Sequence, residues 1–331
     1  MIRMAQFGTK HGHAAGKLAA MQKNPDVEVA GVFEPDGKRR AELEEGNSPF
    51  GSAAWFDAPG DILSDPSIAA VASEGSNEES LDQTEELVRA GKHVWYDKPA
   101  GENWEQWQRV VAMAGERNLI LQMGYMLRYH DGFERIAEWV TSEMLGSVFS
   151  VRAHMSTHIS SEVRRALSRH GGGICYDLCG HMLDQIVWLL GRPAKVTSFL
   201  RNDSDLEPAI PDNTLIVLEY DNSLAFVDIA AMESRPMARR FEVYGTGGSA
   251  IIPEPFEPGS QVRLCLEEAR GGYEEGEQFI PLRGESRQQL YELELESFLA
   301  SIRGQNPPLR PAEHELLVQE TLLRATGVVA A

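Results

Sequence analysis

Short apolar segments alternate with amphipathic ones over residues 1–125, and this alternation restricts the possible folds more than any other feature of the sequence. Segments such as Ile2–Phe7, Val27–Phe33 and His93–Tyr96 have the length and composition of strands. Segments of helical periodicity, such as Leu81–Ala90, separate them. The other candidate strands are Ala53–Phe56, Ile68–Ser73 and Leu119–Met123. Strand–helix units of this kind form a doubly wound parallel sheet, so residues 1–125 are predicted to be an α/β domain.

In the rest of the chain, residues 126–331, candidate strands follow one another with few helices between them. They are Val148–His158, Val196–Leu200, Thr214–Tyr220, Leu224–Met232, Phe241–Tyr244, Val262–Leu266 and Gln278–Ile280. Such a run of strands indicates an α+β domain with a large, mostly antiparallel, open sheet. The last predicted helix, Glu313–Thr326, is a candidate to pack back on the first domain.

The charge balance argues against two classes of partner. The chain of 331 residues carries 31 Lys and Arg residues against 50 Asp and Glu residues, a net charge of −19. An acidic surface disfavours binding to nucleic acid and to anionic membranes. No apolar run reaches the length of a membrane span. We therefore expect neither nucleic acid nor a membrane as a partner.

The cysteine content indicates a reducing compartment. Cys175, Cys179 and Cys265 are odd in number and do not form a disulfide framework, so a cytoplasmic protein is expected. Cys175 and Cys179 are four residues apart, which suits either a metal pair or two buried structural thiols. They lie about 200° around the helix from Asp177 and His181, so the two pairs cannot share one ion. No metal site is predicted.

The turn after the first strand has the composition of a dinucleotide-binding loop. It reads Gly8-Thr-Lys-His-Gly12-His13 and leads into a helix, and the next strand ends at Glu34. Glycine lets the backbone approach a pyrophosphate, the helix N-terminus favours its charge, and the acid accepts from a ribose hydroxyl. Lys10 replaces the middle glycine of the usual G-x-G-x-x-G pattern. A βαβ turn without a nucleotide is therefore a comparable interpretation.

Other polar residues follow later strands of the same predicted sheet. Asn77 comes after the fourth candidate strand and Lys98 after the fifth. Parallel strands end at the same edge of a sheet, and ligands bind at that edge. Asn77 and Lys98 are therefore expected on one rim with Gly8 and Glu34.

The segment Gly171–Gly191 is predicted to be a largely buried helix bounded by glycines. Asp177 and His181 lie four residues apart, on one face of this helix, and Asp184 follows on the same side. One interpretation is a hydrogen-bonded pair within the core. The other is an acid/base pair that faces a cleft.

Two polar segments precede that helix. Along Val148–His158, the alternation predicts that one face carries Phe149, Val151, Ala153 and Met155, and the other carries Ser150, Arg152, His154, Ser156 and His158. His154 and His158 would be about 13 Å apart on an extended strand, too far for one metal ion. The arginine-rich segment Ser160–His170 is either a solvated basic loop or a segment that closes over substrate.

These motifs resemble the glucose-fructose oxidoreductase / inositol dehydrogenase / MocA family. The residues that carry the resemblance are the Gly8 turn, Asn77, Asp97-Lys98-Pro99, Gly124 with Arg128, and Gly171–Gly191. In the family the fifth strand commonly ends in Glu-Lys-Pro, where this chain has Asp for Glu, and the fourth-strand motif commonly reads Thr-Pro-Asn, where only the Asn is kept. The resemblance implies a Rossmann-type parallel sheet domain plus an α+β domain with a large, mostly antiparallel open sheet.

The resemblance also implies site residues and NAD as the cofactor. The implied catalytic residues are Lys98, Asp177 and His181. The implied cofactor-binding residues are Gly8, Thr9, Lys10, His11, Gly12, His13, Glu34, Gly75, Asn77, Asp97 and Lys98, and the implied substrate-binding residues are Arg128, His154 and Arg169. Hydride transfer from a carbinol carbon needs a base, for which His181 titrates in the right range. It also needs a cation near the alkoxide, which Lys98 supplies, while Asp177 orients the imidazole. For these roles to work, the three side chains must converge.

The leading prediction is an NAD-dependent oxidoreductase that transfers hydride between a sugar, cyclitol or related polyol and nicotinamide. A catalytically silent dinucleotide-binding regulator is an alternative, because the glycine turn is altered. A lyase or epimerase that uses transient redox on bound NAD is another. Glu34 predicts NAD(H) over NADP(H), since a carboxylate repels a 2′-phosphate. Lys38, Arg39 and Arg40 are close enough in sequence to reach such a phosphate, so NADP(H) remains an alternative.

The strands between Thr214 and Met232 predict self-association. They are apolar at both alternating sets of positions, namely Leu215, Val217, Phe226 and Ile229, and Ile216, Leu218, Ala225 and Val227. A sheet face exposed to water should not be apolar throughout. A homodimer or homotetramer assembled through this sheet is therefore expected.

Overall fold

The computed structural model describes residues 1–330, which form two compact units. The first unit comprises Met1–Met126 and Gln288–Leu316. The second comprises Leu127–Arg287 and the stretch from Leu317 to the end of the described chain. Each unit is built around its own sheet.

The first unit contains a five-stranded sheet in the order β2-β1-β3-β4-β5, in which every pairing is parallel. Its strands are β1 (Ile2–Phe7), β2 (Val27–Phe33), β3 (Ala70–Ser73), β4 (His93–Tyr96) and β5 (Leu121–Met123). Its helices are α1 (Ala14–Lys23), α2 (Gly37–Glu44), α3 (Gly60–Leu63), α4 (Ser80–Arg89), α5 (Trp104–Glu116) and α9 (Arg287–Ile302). The predicted Rossmann-type sheet is confirmed.

One predicted strand of this domain is wrong. Ala53–Phe56 contributes a single bridge between Trp55 and Val32, so the sheet has five strands and not six. Val32 donates to the carbonyl of Ala54 and accepts from the amide of Phe56. The chain before this contact is a 3₁₀ turn, and a bend follows it, so the pairing cannot extend along β2.

Gly8 immediately follows β1, and its backbone conformation strongly disfavours any residue type other than glycine at this position. Its φ is +87°, and a Cβ atom built there would lie 2.7 Å from the backbone nitrogen of Gly75. Backbone atoms cannot move aside as a flexible side chain can. The close approach of the β1–α1 loop to the end of β3 therefore depends on glycine.

We expect Gly8→Ala to lower the free energy of unfolding by about 2 kcal/mol or more, because it combines a positive φ with a backbone clash. Chemical denaturation measures this. Gly12→Ala is the matched control in the same loop, since a Cβ there would meet nothing within 4 Å. Equal stability of the two variants would contradict this account of Gly8.

The second unit contains an eight-stranded sheet in the order β13-β12-β11-β10-β6-β9-β8-β7. Its strands are β6 (Val148–His154), β7 (Lys195–Arg201), β8 (Asn213–Glu219), β9 (Leu224–Ala230), β10 (Arg240–Gly245), β11 (Gly248–Ile252), β12 (Gln261–Leu266) and β13 (Gly276–Pro281). Only β6 and β9 pair in parallel, so the predicted mostly antiparallel sheet is confirmed. Strand β11 was missed because it follows β10 after only two residues, Thr246 and Gly247.

Helices cover one face of this sheet. The helices of the unit are α6 (Asp131–Thr141), α7 (Ser161–Leu167) and α8 (Ile174–Leu190), and the last helix of the chain is α10 (Ala312–Ala325). Helix α8 packs on β9 and β8. The segment Ser160–His170, predicted to be either a solvated basic loop or a segment that closes over substrate, contains α7. Ser160 caps this helix by accepting a hydrogen bond from the amide of Val163. No helix within residues 1–330 is long and apolar enough to cross a membrane.

The opposite face of the sheet is open, and three of the predicted assignments of residues to faces are wrong. Phe149 is exposed, unlike Val151, and Ser156 is buried because β6 already ends at His154. Ile229 is also buried and pairs with Thr214. Phe149 lies where the register between β6 and β10 shifts, and Ile229 belongs to the regular buried set of β9 with Ala225 and Val227.

Candidate functional site

The loops that follow β1 and β2 are joined by a buried hydrogen bond. Gly8 donates its amide to the carbonyl of Phe33 at 2.8 Å. Thr9 donates its hydroxyl to Glu34 at 2.6 Å, and the other oxygen of Glu34 accepts the amide of Asp36 at 3.0 Å. Glu34 therefore has a fixed orientation at the end of β2.

Arg39 on α2 contacts the same loop. Its guanidinium donates to the hydroxyl and to the carbonyl oxygen of Thr9, each at 2.7 Å. A cation thus lies one side chain away from Glu34, although it is already hydrogen-bonded to the loop. The sequence left the reach of Arg39 open, and the structure gives it this partner.

Lys10, Gly75 and Asn77 lie in the adjoining loops. Lys10 pairs with Glu79 at 2.7 Å. Gly75 is buried, and a Cβ there would lie 2.3 Å from the side-chain oxygen of Gln83. Asn77 is half-buried in the loop after β3.

His11 and His13 both face the Asp97 carboxylate, which follows β4. Their Nδ1 atoms lie 3.3 Å and 3.1 Å from its Oδ2 atom. Burial lowers the pKa of His13 to about 4 despite the nearby carboxylate, so its imidazole is neutral at physiological pH. One ligand atom from each of the three residues lies within 4.8 Å of the others, a spacing that suits a metal ion. The ammonium of Lys17 contacts the same Oδ2 atom at 3.0 Å and supplies positive charge there.

Lys17, on α1, is a residue that the sequence analysis missed. It is completely buried, and its ammonium lies 2.9 Å from Glu74 as well as 3.0 Å from Asp97. Helical periodicity places it one turn after His13 and one turn before Met21, on the buried face of α1. A lysine on the apolar face of a predicted helix is unusual, and this feature of the sequence could have indicated a buried ammonium with acidic partners.

The loop after β1 fits a dinucleotide. Open space surrounds the Cβ position of Gly12, which lies two residues before α1, whereas the Cβ position of Gly8 faces the backbone of Gly75. The N-terminus of α1, a helix of ten residues, favours a negatively charged pyrophosphate. The residues that would hold the cofactor are therefore those of the β1–α1 loop, with Glu34 nearby.

In the second unit, α8 carries the other predicted catalytic residues. His181 is buried and Asp177 is half-buried, one turn apart on the same helix. Asp184 is completely buried and accepts three hydrogen bonds from Arg128, one at 2.7 Å and two at 3.1 Å. This ion pair accounts for the charge of Arg128 and fixes one face of α8. Contact of Arg128 with substrate stays a prediction.

His154 lies elsewhere in the second unit. It is on the open face of the sheet, beside Asp228 of β9, with Glu233 at 3.0 Å from its Nε2 atom. The hydrogen bond with Asp228 outweighs burial and raises the pKa of His154. Helix α8 covers the other face, so the structure does not bring His154 together with Asp177 and His181.

The arginines of the segment around α7 have different environments. Arg164 is buried and donates from two nitrogens to Asp212, each at 3.1 Å. Arg169 is exposed, so its proposed contact with substrate stays a prediction.

We expect Asp184→Ala to destabilise the protein by about 3–5 kcal/mol, because it leaves the buried guanidinium of Arg128 without its carboxylate. The double variant Arg128→Met/Asp184→Leu should recover much of that loss. The control is Glu219→Ala, which breaks an exposed pair with Lys195 and should change stability by less than about 1 kcal/mol. Similar losses for the two single variants, measured by denaturation, would refute this role of Asp184.

Two family descriptions match different parts of the chain. Residues 2–125 match the family described as "Oxidoreductase family, NAD-binding Rossmann fold". Residues 133–251 match the family described as "GFO/IDH/MocA C-terminal domain". The two matches cover one segment in each of the units described above.

Among curated proteins, the chain is 24% identical over 257 residues to 1,5-anhydro-D-fructose reductase of Ensifer adhaerens, covering 76% of this chain and 75% of that protein. It is 21% identical over 275 residues to myo-inositol 2-dehydrogenase of Thermotoga maritima, covering 82% and 80%. Among solved structures, GenD2 from gentamicin A biosynthesis, in complex with NAD, has a TM-score of 0.81 at 22% identity and covers 99% of this chain and 94% of that chain. This structural likeness concerns the fold.

Proposed function

Since the chain belongs to the Gfo/Idh/MocA family of NAD(P)-dependent oxidoreductases, we propose that it transfers hydride between a sugar, cyclitol or related polyol and NAD(H). The observation that carries the proposal is the arrangement of loops around Gly8 and Asp97-Lys98, at the carboxyl ends of β1 and β4. The relatives named above support the substrate class, since their names refer to a sugar derivative and to an inositol.

Three side chains of this chain act on the substrate in the proposed reaction. NAD supplies the hydride acceptor when bound. His181 takes the hydroxyl proton, and Asp177, one turn earlier on α8, orients its imidazole. Lys98 holds a positive charge near the oxygen, where it stabilises the developing alkoxide. A substrate panel of sugars, inositols and sugar acids, monitored by NADH absorbance, tests the proposal.

We expect Lys98→Met and His181→Ala each to lower kcat by about 10²–10⁴-fold, because each removes one group that acts in the transition state. NAD affinity should survive His181→Ala, since this residue contacts substrate in the proposed reaction. Lys195→Met, at an exposed lysine on β7, is the control and should keep kcat. If His181→Ala lowers the melting temperature but leaves kcat intact, the residue is a core histidine and the proposed role is wrong.

We propose NAD(H) as the preferred cofactor, because the Glu34 carboxylate is fixed by Thr9 at the end of β2 and repels a 2′-phosphate. Glu34→Gln should lower the ratio of the dissociation constant for NADP(H) to that for NAD(H) by about tenfold, equivalent to about 1.4 kcal/mol. Glu28→Gln, at an exposed carboxylate on the same strand, should leave the ratio unchanged. Fluorescence titration with both cofactors measures it, and tighter NADP(H) binding by the unmodified protein would overturn the preference.

We also propose a homodimer or homotetramer that associates through the open face of the second sheet. Large apolar side chains remain exposed on its strands, namely Phe149, Phe199, Leu224 and Phe279. Leu215, Val217 and Phe226 are half-buried on the same open face, which supports an interface.

We expect Phe199→Glu to weaken this association, because it places a charge in the apolar face. Leu206→Glu, at an equally exposed residue outside the strands, should have no effect. Light scattering at micromolar concentration measures the mass. A monomeric unmodified protein would show that the open face is not an interface.

A further inference from the structure

The ammonium of Lys17 is the centre of a buried group of charges in the first unit. Its side chain has no exposure to solvent, and its Nζ atom lies 4.4 Å from the ring centroid of Trp95. Two carboxylates contact the ammonium, Glu74 at 2.9 Å and Asp97 at 3.0 Å. These carboxylates follow β3 and β4, so Lys17 connects α1 with the ends of two neighbouring strands.

The neighbouring charges determine the protonation states of Lys17 and Asp97. Burial by itself would lower the pKa of Lys17, but Asp97, Glu74 and Glu294 outweigh burial and raise it. Burial raises the pKa of Glu74 well above its usual value, so Asp97 is the partner whose charge is secure. Burial would likewise raise the pKa of Asp97, yet His11, His13 and Lys17 together hold it well below its usual range. Lys17 is therefore an ammonium and Asp97 a carboxylate at physiological pH.

The Asp97 carboxylate, held by Lys17, in turn binds the backbone of the next residue, Lys98. Its Oδ1 atom accepts the backbone amide of Lys98 at 2.8 Å, while Oδ2 contacts the ammonium of Lys17. Oδ2 contacts Lys17, His11 and His13, while Oδ1 accepts the Lys98 amide and also lies 3.2 Å from Nδ1 of His13. The space around them is full, since a Cβ on Gly124 would lie 2.9 Å from Oδ1 and 3.0 Å from the Lys17 ammonium.

Fold stability alone does not require charges at this place. A buried ion pair can commonly be replaced by apolar side chains of similar volume without loss of stability. Trp95 already provides an apolar surface beside Lys17. What an apolar group could not do is hold one oxygen of Asp97 so that the other faces the amide of Lys98.

We propose that Lys17 is a positioning residue for hydride transfer: its ammonium fixes the Asp97 carboxylate, which fixes the backbone of Lys98. This inference rests on the proposed function, in which Lys98 stabilises the alkoxide. Lys17 touches neither substrate nor cofactor in this scheme. It acts through two intervening hydrogen-bonded or ionic contacts.

The test compares Lys17→Met with Lys92→Met. Lys92 is also a buried lysine of the first unit, but it lies before β4 and donates to the backbone carbonyls of Asp65 and Ile68. In the cofactor-free protein, we expect Lys17→Met to speed hydrogen exchange at the Lys98 amide by at least about tenfold. It should also lower kcat by about 10- to 100-fold, the loss expected from a misplacement of about 1 Å. Lys92→Met should leave both values unchanged.

A double-variant comparison separates positioning from a general loss of stability. Asp97→Asn should lower kcat by itself, and adding Lys17→Met to it should cause little further loss, because both changes break one chain of contacts. If Lys17→Met fails to fold, Lys17→Gln, which removes the charge but keeps a polar side chain, is compared with Lys92→Gln by the same exchange measurement, and unchanged Lys98 exchange in folded Lys17→Gln overturns the inference.

Two other outcomes overturn the inference. One is a folded Lys17→Met protein with unchanged Lys98 exchange and unchanged kcat. The other is full additivity of Lys17→Met and Asp97→Asn. Failure of the proposed function looks different: the unmodified protein would turn over no polyol, while the exchange of the Lys98 amide would still decide whether Lys17 positions it.

Discussion

The common end of the parallel strands is the constraint on which the first unit depends. Phe7 pairs in register with Phe33 and with Ser73, and Ser73 pairs with Tyr96, so the strands end at one level. Whatever residue follows each strand therefore arrives at the same edge. This is why the loop residues after β1, β2 and β4 form one cluster although they are separated along the chain.

Burial then determines how those residues interact. A carboxylate or an ammonium without a partner is costly inside a protein, so the polar groups at this edge pair with one another. Thr9 with Glu34, and Lys17 with Glu74 and Asp97, are the result. Helix α8 of the second unit follows the same rule, since the buried Asp184 pairs with Arg128.

The two faces of the second sheet differ from each other in composition. The face covered by helices is apolar and closely packed, while the open face mixes large apolar side chains with paired charges such as His154 and Asp228. A purely solvated face would not need exposed aromatic side chains on several strands. This contrast is the structural basis for the proposed self-association.

The sequence by itself determined the class of the fold and the set of candidate residues. Strand and helix periodicity depend on neighbouring residues, so Ile2–Phe7, Val27–Phe33 and the helix around His181 were predictable from local pattern. The same holds for Glu34 at a strand end. The isolated bridge at Trp55 and the missed strand β11 were not predictable, because each depends on which segment happens to lie alongside.

Only the tertiary structure decided which polar residues meet. Lys17 lies in an ordinary helical pattern, and the residues near it in sequence do not predict that Glu74 and Asp97 contact its ammonium. The sequence predicted both His154 and Arg128 as substrate-binding residues. Packing places His154 on the open face of the sheet and pairs Arg128 with Asp184. The physical reason is that periodicity is a property of neighbours along the chain, whereas the pairing of buried charges is a property of residues brought together by the sheet.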